Sequence, residues 1–232
     1  MKGKKGKLYG IGIGPGDPEL ITVKAKRILN EVPVIFVPVK DAGGDSTALS
    51  IISKIIDTGG KSIMDVVFSM EGGREDFLAC GRTAASVVTG VLDSGRDAAM
   101  ITLGDVSLYS TYMYLNGYIR EGGYETEIIP GITSFSNASA LTGIPLAMGD
   151  EGLAVIPASL MHHADTLLRC LGNVAVMKAG GIMNEILELL DERGVPPENA
   201  TVVSRAGMDG EYIGQIDAKR HFSYFTTVLI KR

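Results

Sequence analysis

Two α/β domains, the first on a mainly parallel sheet and the second on a mixed one, are what this 232-residue sequence predicts. Three observations carry the prediction. Short apolar runs alternate with segments of helical period through the first half, the pattern of a parallel sheet with helices on its faces. Several of those runs end in glycine-bearing turns that open into a helix. The chain closes on three strand-like runs separated by short turns, which implies antiparallel pairing at its end.

The first strand spans 8–13, with Leu8, Tyr9, Ile11 and Ile13 apolar, and breaks into a turn holding Gly14, Pro15, Gly16 and Pro18. Thr22 is suited to cap a helix over 22–30, because its hydroxyl can accept a first-turn N–H. Strand 34–37, helix 46–56, short strand 66–68, long helix 75–93, strand 98–103 and helix 108–120 follow. At Gly122-Gly123-Tyr124-Glu125 the pattern pauses, which divides the chain into domains 1–123 and 124–232. The second domain reads as strand 127–129, helix 133–141, strand 153–156, helix 163–171, strand 174–177 and helix 182–192. Strands 201–204, 211–216 and 224–230 complete it, the first two joined at Met208-Asp209-Gly210. A cleft between two such domains is a natural place for a ligand.

Composition bounds the function. The chain is 45% hydrophobic and 21% charged, enough for a sizeable core and inconsistent with global disorder. Its net charge is −5, and the one basic cluster, Lys2 to Lys7, reads as a solvated N-terminal tail. With no basic stripe elsewhere, a surface that tracks nucleic acid is disfavoured. Cys80 and Cys170 belong to no paired motif, and no run approaches the ~18 apolar residues of a membrane span. A reduced, cytoplasmic protein is expected.

Several motifs fail on spacing. A dinucleotide-binding G-x-G-x-x-G begun at Gly10 needs glycine where Pro15 stands, and begun at Gly12 needs it at Asp17. Gly59-Gly60-Lys61-Ser62 imitates the end of a phosphate-binding loop, but the pattern requires glycine at Ile55. His162 and His163 are adjacent, so on a helix they point apart, and His221 stands alone; no metal site is expected.

Four strand ends remain that carry glycines. Besides 8–22 they are Ile101-Thr-Leu-Gly-Asp-Val-Ser-Leu-Tyr-Ser110, Ile128-Ile-Pro-Gly-Ile-Thr-Ser-Phe-Ser136 and Val174-Ala-Val-Met-Lys-Ala-Gly-Gly181. Carboxyl ends of parallel strands are where such sheets bind ligands. Each loop also has a plainer reading. Asp105 or Ser107 can cap a helix, Thr133 can do the same, and Lys178 can be solvated. Four together are harder to assign to turn chemistry alone.

Taken together, these loops resemble the tetrapyrrole methylase family, whose members use S-adenosylmethionine (SAM). The resemblance runs from Leu8 to Ile230. It is carried by Gly12-Ile-Gly-Pro-Gly-Asp-Pro-Glu-Leu-Ile-Thr-Val-Lys-Ala25, Leu103-Gly-Asp-Val-Ser-Leu-Tyr-Ser-Thr-Tyr112, Ile129-Pro-Gly-Ile-Thr-Ser-Phe-Ser136, Gly143-Ile-Pro-Leu-Ala147 and Val176-Met-Lys-Ala-Gly180. Within the family the Ser-Leu-Tyr-Ser-Thr-Tyr, Thr-Ser-Phe-Ser and Met-Lys-Ala-Gly segments resemble the precorrin-2/cobalt-factor II C(20)-methyltransferase branch of cobalamin synthesis. Two departures stand out. Val106 replaces the proline of the usual Gly-Asp-Pro and restores an N–H, and Pro33 stands where a small or acidic residue is usual.

The resemblance implies a SAM site between the domains, formed by Pro15, Leu103, Gly104, Asp105, Leu108, Thr133, Ser134, Met177, Lys178, Ala179, Arg205, Ala206, Gly207, and Thr226 or Thr227. It places Gly14, Gly16 and Asp17 on the tetrapyrrole side of the cleft. A polycarboxylate substrate asks for cations, for which Lys40, Arg74, Lys178 and Arg205 are candidates. Methyl transfer to an electron-rich meso carbon needs little acid–base machinery beyond removal of one proton; Tyr112, Tyr114 and Glu71 are the candidate bases. A homodimer is implied by the family alone. Other readings are a different corrin position, an RNA or protein substrate, and a non-catalytic binding protein.

Overall fold

A computed structural model gives the architecture and describes residues 4–41, 43–68 and 74–232. The chain divides into two compact units, 1–132 and 133–232. The first contains β1 (Leu8–Gly12), α1 (Val23–Glu31), β2 (Val34–Val39), α2 (Thr47–Ile52), β3 (Ser62–Val67), α3 (Arg74–Asp93), β4 (Ala98–Thr102), α4 (Thr111–Glu121) and β5 (Thr126–Ile129). Its strands form one sheet in the order β3-β2-β4-β1-β5, and every neighbouring pair is parallel. Because β5 hydrogen-bonds along β1, the division falls after residue 132, later than the glycine pair at 122–123 suggests.

Both faces of this sheet are covered. β4 is buried at all five positions, as a strand flanked by helices on both sides should be. On one face Leu8, Val34, Phe36, Ala98 and Met100 pack against Val88, Val91 and Leu92 of α3 and Tyr112, Leu115 and Ile119 of α4. Each such aliphatic side chain contributes about 1.5–3 kcal/mol relative to exposure. β1 leads to β2 on one side of the sheet and β4 leads to β5 on the other, so the two connections leave in opposite directions. That is the arrangement at which open parallel sheets bind ligands beyond their strand ends.

The second unit contains α5 (Ser134–Thr142), β6 (Gly152–Pro157), α6 (Ala164–Leu171), β7 (Gly172–Met177), α7 (Met183–Glu192), β8 (Ala200–Ser204), β9 (Tyr212–Gln215) and β10 (Thr226–Lys231). The strand order is β6-β7-β10-β8-β9. β6 and β7 are parallel, whereas β10 runs antiparallel to both neighbours and β9 antiparallel to β8. The mixed sheet is thus the expected one. Alternation along β10 sends Val228 and Ile230 to the face covered by Ala164, Leu168, Ile186 and Leu190, and Leu229 to the other face with Ala138 of α5.

Several ends differ from the sequence reading. The helix after β4 begins at Thr111, not at 108, because Ser110 turns its hydroxyl to the N–H of Tyr112 and caps it there. α2 stops at Ile52, and β3 is longer than the three residues expected. His162 and His163 end a short 3-10 helix instead of lying in α6. Their ring centroids are 4.0 Å apart with the ring planes tilted by 46°, so the two rings lie in contact and do not diverge.

Candidate functional site

In the first unit the backbone itself builds the loop cluster. Beyond β1, Ile13 N–H donates to Thr102 O at 3.0 Å, and Gly14 and Gly104 exchange hydrogen bonds of 3.2 and 2.7 Å. Gly131, just past β5, lies against Gly104 and Gly12: a Cβ there would stand 2.2 Å from Gly104 O and 2.7 Å from Gly12 C. Three strand ends meet this closely only because none carries a side chain. Asp105 ties the cluster together. One carboxylate oxygen accepts from Gly131 N–H at 2.8 Å, and the other from the N–H and hydroxyl of Ser107. Burial alone would raise the Asp105 pKa. The bonds from the Ser107 hydroxyl, Gly131 N–H, Ser107 N–H and Val106 N–H outweigh it and hold the carboxyl below its ordinary range. The N–H that a proline at 106 would lack is one of these.

The plainer reading of Asp105 as a helix cap is replaced: Ser110 caps α4, and Asp105 closes the local turn while bridging to Gly131. Leu103 and Leu108 are half-buried in the same loop. Asp17 spends one carboxylate oxygen on Glu19 N–H, capping the 3-10 turn Pro18–Leu20.

In the second unit the expected residues gather at one end of the sheet. Thr227 lies opposite Met177 on β7 and Val203 on β8, and Thr226 opposite Ser204. Arg205 N–H donates to Phe225 O at 2.8 Å, bringing 205–207 against the approach to β10. Gly180 packs on the same segment, where a Cβ would meet Ser223 O at 2.1 Å. The two threonines point to opposite faces. Thr226 exchanges a hydrogen bond with Ser204 Oγ at 2.8 Å and donates to Ser223 O, whereas Thr227 donates to Ser134 Oγ at 3.2 Å. Thr133 caps α5 through Ser136 N–H.

Backbone strain marks the same loops. Among the described residues, three that are not glycine have positive φ: Tyr109 (51°), Lys178 (60°) and Arg205 (54°). They stand in the loops after β4, β7 and β8. Left-handed backbone costs an L-residue roughly 1–2 kcal/mol, and such residues cluster at working sites. Tyr109 escaped the sequence reading, since nothing in its spacing announces a left-handed turn; its side chain is half-exposed. Lys178 Nζ lies 5.2 Å from the Tyr224 ring centroid, and Arg205 Nε donates to Asp209 O.

The candidate bases fare unequally. Tyr112, on α4, is fully buried in the core formed with the sheet and α3, its ring against Gly10 and its hydroxyl 3.4 Å from Asn116 Oδ1. Its place is in the core, where burial raises its pKa above the tyrosine range, and it has no access to a reacting carbon. Tyr114 is half-exposed and set edge-on to Phe77. Glu71 and the side chain of Arg74 lie outside the described residues, and Lys40 is exposed after β2. Two surface cavities of about 370 and 440 Å³, one near Tyr9 and Arg96 and one near Arg120 and Ile128, involve none of the expected site residues.

Comparison with known proteins bears on these loops directly. Residues 7–219 match the family model described as tetrapyrrole (corrin/porphyrin) methylases. The chain is 33% identical to the cobalt-precorrin-2 C(20)-methyltransferase of Salmonella typhimurium, over 98% of this chain and 97% of that protein. It is 29% identical to the precorrin-2 C(20)-methyltransferase of a Sinorhizobium species, over 97% and 95%. Its fold superimposes with a TM-score of 0.68, at 19% identity, on uroporphyrin-III C-methyl transferase from Thermus thermophilus complexed with S-adenosylhomocysteine, covering 97% of this chain and 92% of that one.

Proposed function

This chain belongs to the tetrapyrrole (corrin/porphyrin) methylases, and on that premise we propose that it transfers a methyl group from SAM to the C(20) meso carbon of precorrin-2 or its cobalt complex in cobalamin synthesis. The observation that carries this reading is near-full-length similarity to enzymes named for that reaction, joined to the gathering of the motif residues at strand ends in each unit.

The residues suit the chemistry of SAM, which joins a cationic sulfonium and an ammonium to a carboxylate, ribose hydroxyls and an adenine. Asp105, kept ionised and half-exposed, suits the cationic part. Ser134 offers a neutral donor and Arg205 a charged one, while Lys178 is left to the substrate's carboxylates. Bound SAM would supply an electrophilic methyl group; its transfer to the meso carbon would leave S-adenosylhomocysteine and release the proton which that carbon carried. The protein's part is positioning. Reacting atoms held about 3–3.5 Å apart and in line can account for most of the acceleration. The glycine cluster at 12, 104 and 131 lets the main chain approach the reactants, and the cations receive the substrate's carboxylates. The reading includes a homodimer in the cytoplasm; among the described residues no helix is long and apolar enough to cross a membrane.

One anaerobic assay tests it. Purified protein is given methyl-labelled SAM with precorrin-2 and, separately, cobalt-factor II, and the product is mapped by NMR. Label at C(20) of either ring is expected, and the preferred ring identifies the substrate. Label on neither, or at another position, would overturn the reading.

A further inference from the structure

The two threonines at the start of β10 differ in what their hydroxyls can reach. Thr227 is 4% exposed, covered by β7, β8 and α5, so its hydroxyl has no direct path to a ligand. A threonine hydroxyl carries one hydrogen, and here it goes to Ser134 Oγ at 3.2 Å. Ser134 is the first residue of α5 and is only half-buried. With its oxygen accepting from Thr227, its own hydrogen is free to be donated. Without Thr227 the hydroxyl of Ser134 could rotate to donate inward or back to its own helix.

We propose that Thr227 is a positioning residue: it does not touch the methyl donor but fixes Ser134 as a hydrogen-bond donor to an acceptor oxygen of SAM, in the carboxylate or the ribose. The inference rests on the SAM reading above and changes the role expected of Thr227. Thr226, on the opposite face, is excluded from this part. It is 1% exposed, and its hydrogen is given to Ser223 O at 2.6 Å.

The test is binding of S-adenosylhomocysteine to the full-length protein by calorimetry, with kinetics and thermal melts alongside. Thr227→Val removes the hydroxyl at nearly constant volume and is expected to weaken binding about five- to tenfold, the scale of one lost hydrogen bond. Thr227→Ser keeps the hydroxyl and should stay within about twofold of wild type. Ser134→Ala should weaken binding to a similar degree, and the double variant Ser134→Ala/Thr227→Val should be no weaker than Ser134→Ala alone. In steady state the KM for SAM should rise while that for the tetrapyrrole stays put, a split that loss of packing alone would not produce. Thr227→Ala takes the place of valine if the melts show crowding. Wild-type affinity in the hydroxyl-free variant, or losses that multiply in the double variant, overturns the inference alone. No binding by the wild type overturns the SAM reading and the inference with it.

Discussion

The Asp105 carboxylate accepts a hydrogen bond from the backbone N–H of Gly131 at 2.8 Å, clamping the loop after β4 to the end of β5. Hydrogen bonds to an ionised acceptor are worth about 1.5–3 kcal/mol net. Asp105→Ala is expected to lower unfolding free energy by about that much, read from urea melts. The sign with pH follows from the lowered pKa. The carboxylate's contribution is complete above its ordinary value near 3.8 and disappears as pH falls through the depressed one. The gap between variant and wild type should therefore be constant from neutral pH to about 4 and close in stronger acid. A gap that persists unchanged when the carboxyl is protonated would show that packing, and not the clamp, was lost.

Gly131→Ala forces a methyl against Gly104 O and the Gly12 carbonyl carbon, neither of which can move as a side-chain tip does. A stability loss of about 1–3 kcal/mol is expected. Gly143→Ala is the control, because nothing lies within 4 Å of its Cβ; there the cost is limited to that of its left-handed backbone. Equal melting temperatures for Gly131→Ala and wild type would contradict the close approach.

Lys178 separates stability from activity. Lys178→Gly relieves a left-handed lysine, so its folded state should stay within about 1 kcal/mol of wild type despite losing the cation. Its KM for the tetrapyrrole should rise while SAM affinity is little changed, as the carboxylate-binding role requires. An unchanged KM would remove Lys178 from substrate binding.

Tyr112→Phe tests the assignment of that residue to the core. Its hydroxyl meets Asn116 Oδ1 at only 3.4 Å, so a loss near 1 kcal/mol is expected with kcat unchanged between pH 7 and 9. A fall in kcat of tenfold or more would return Tyr112 to the chemistry.

Lys7 bridges Glu125 and Glu127 at 2.8 Å each, and Lys24 reaches Glu127 at 2.6 Å. Bonds from Lys24 first and Lys7 second lower the Glu127 pKa to about 2. Glu127→Gln should therefore cost under about 1 kcal/mol at neutral pH, the scale of surface pairs, and less in high salt. That difference should fade as pH drops from 4.5 towards 2. Calorimetric melts at several pH values check it; a gap that widens in acid would reverse the sign.

The sequence made the parallel sheet legible because buried strands such as β4 read as unbroken apolar runs bounded by turns. It also pointed to the mixed second sheet through the close succession of the last three strands. Helix starts were less legible. Ser107 and Ser110 both offer caps, and only the left-handed turn at Tyr109 decides between them. For the site, motif order placed the loops but not the side chains on them. Tyr112 sits inside a matching motif yet faces the core, a choice made by its register on α4. Thr226 and Thr227 could not be told apart until alternation along β10 was anchored by Leu229 and Val228 on opposite faces.

β10 is made after β6, β7, β8 and β9, yet it occupies the middle of their sheet, between β7 and β8. During synthesis β7 and β8 therefore have no partner for their facing edges until residues 226–231 have left the ribosome. Ser134, translated more than ninety residues earlier, waits for Thr227 over the same interval. A ribosome that stalls or terminates before Thr226 would leave a polypeptide with its first sheet complete and the second open along two edges, a form suited to chaperone capture and to removal by proteases.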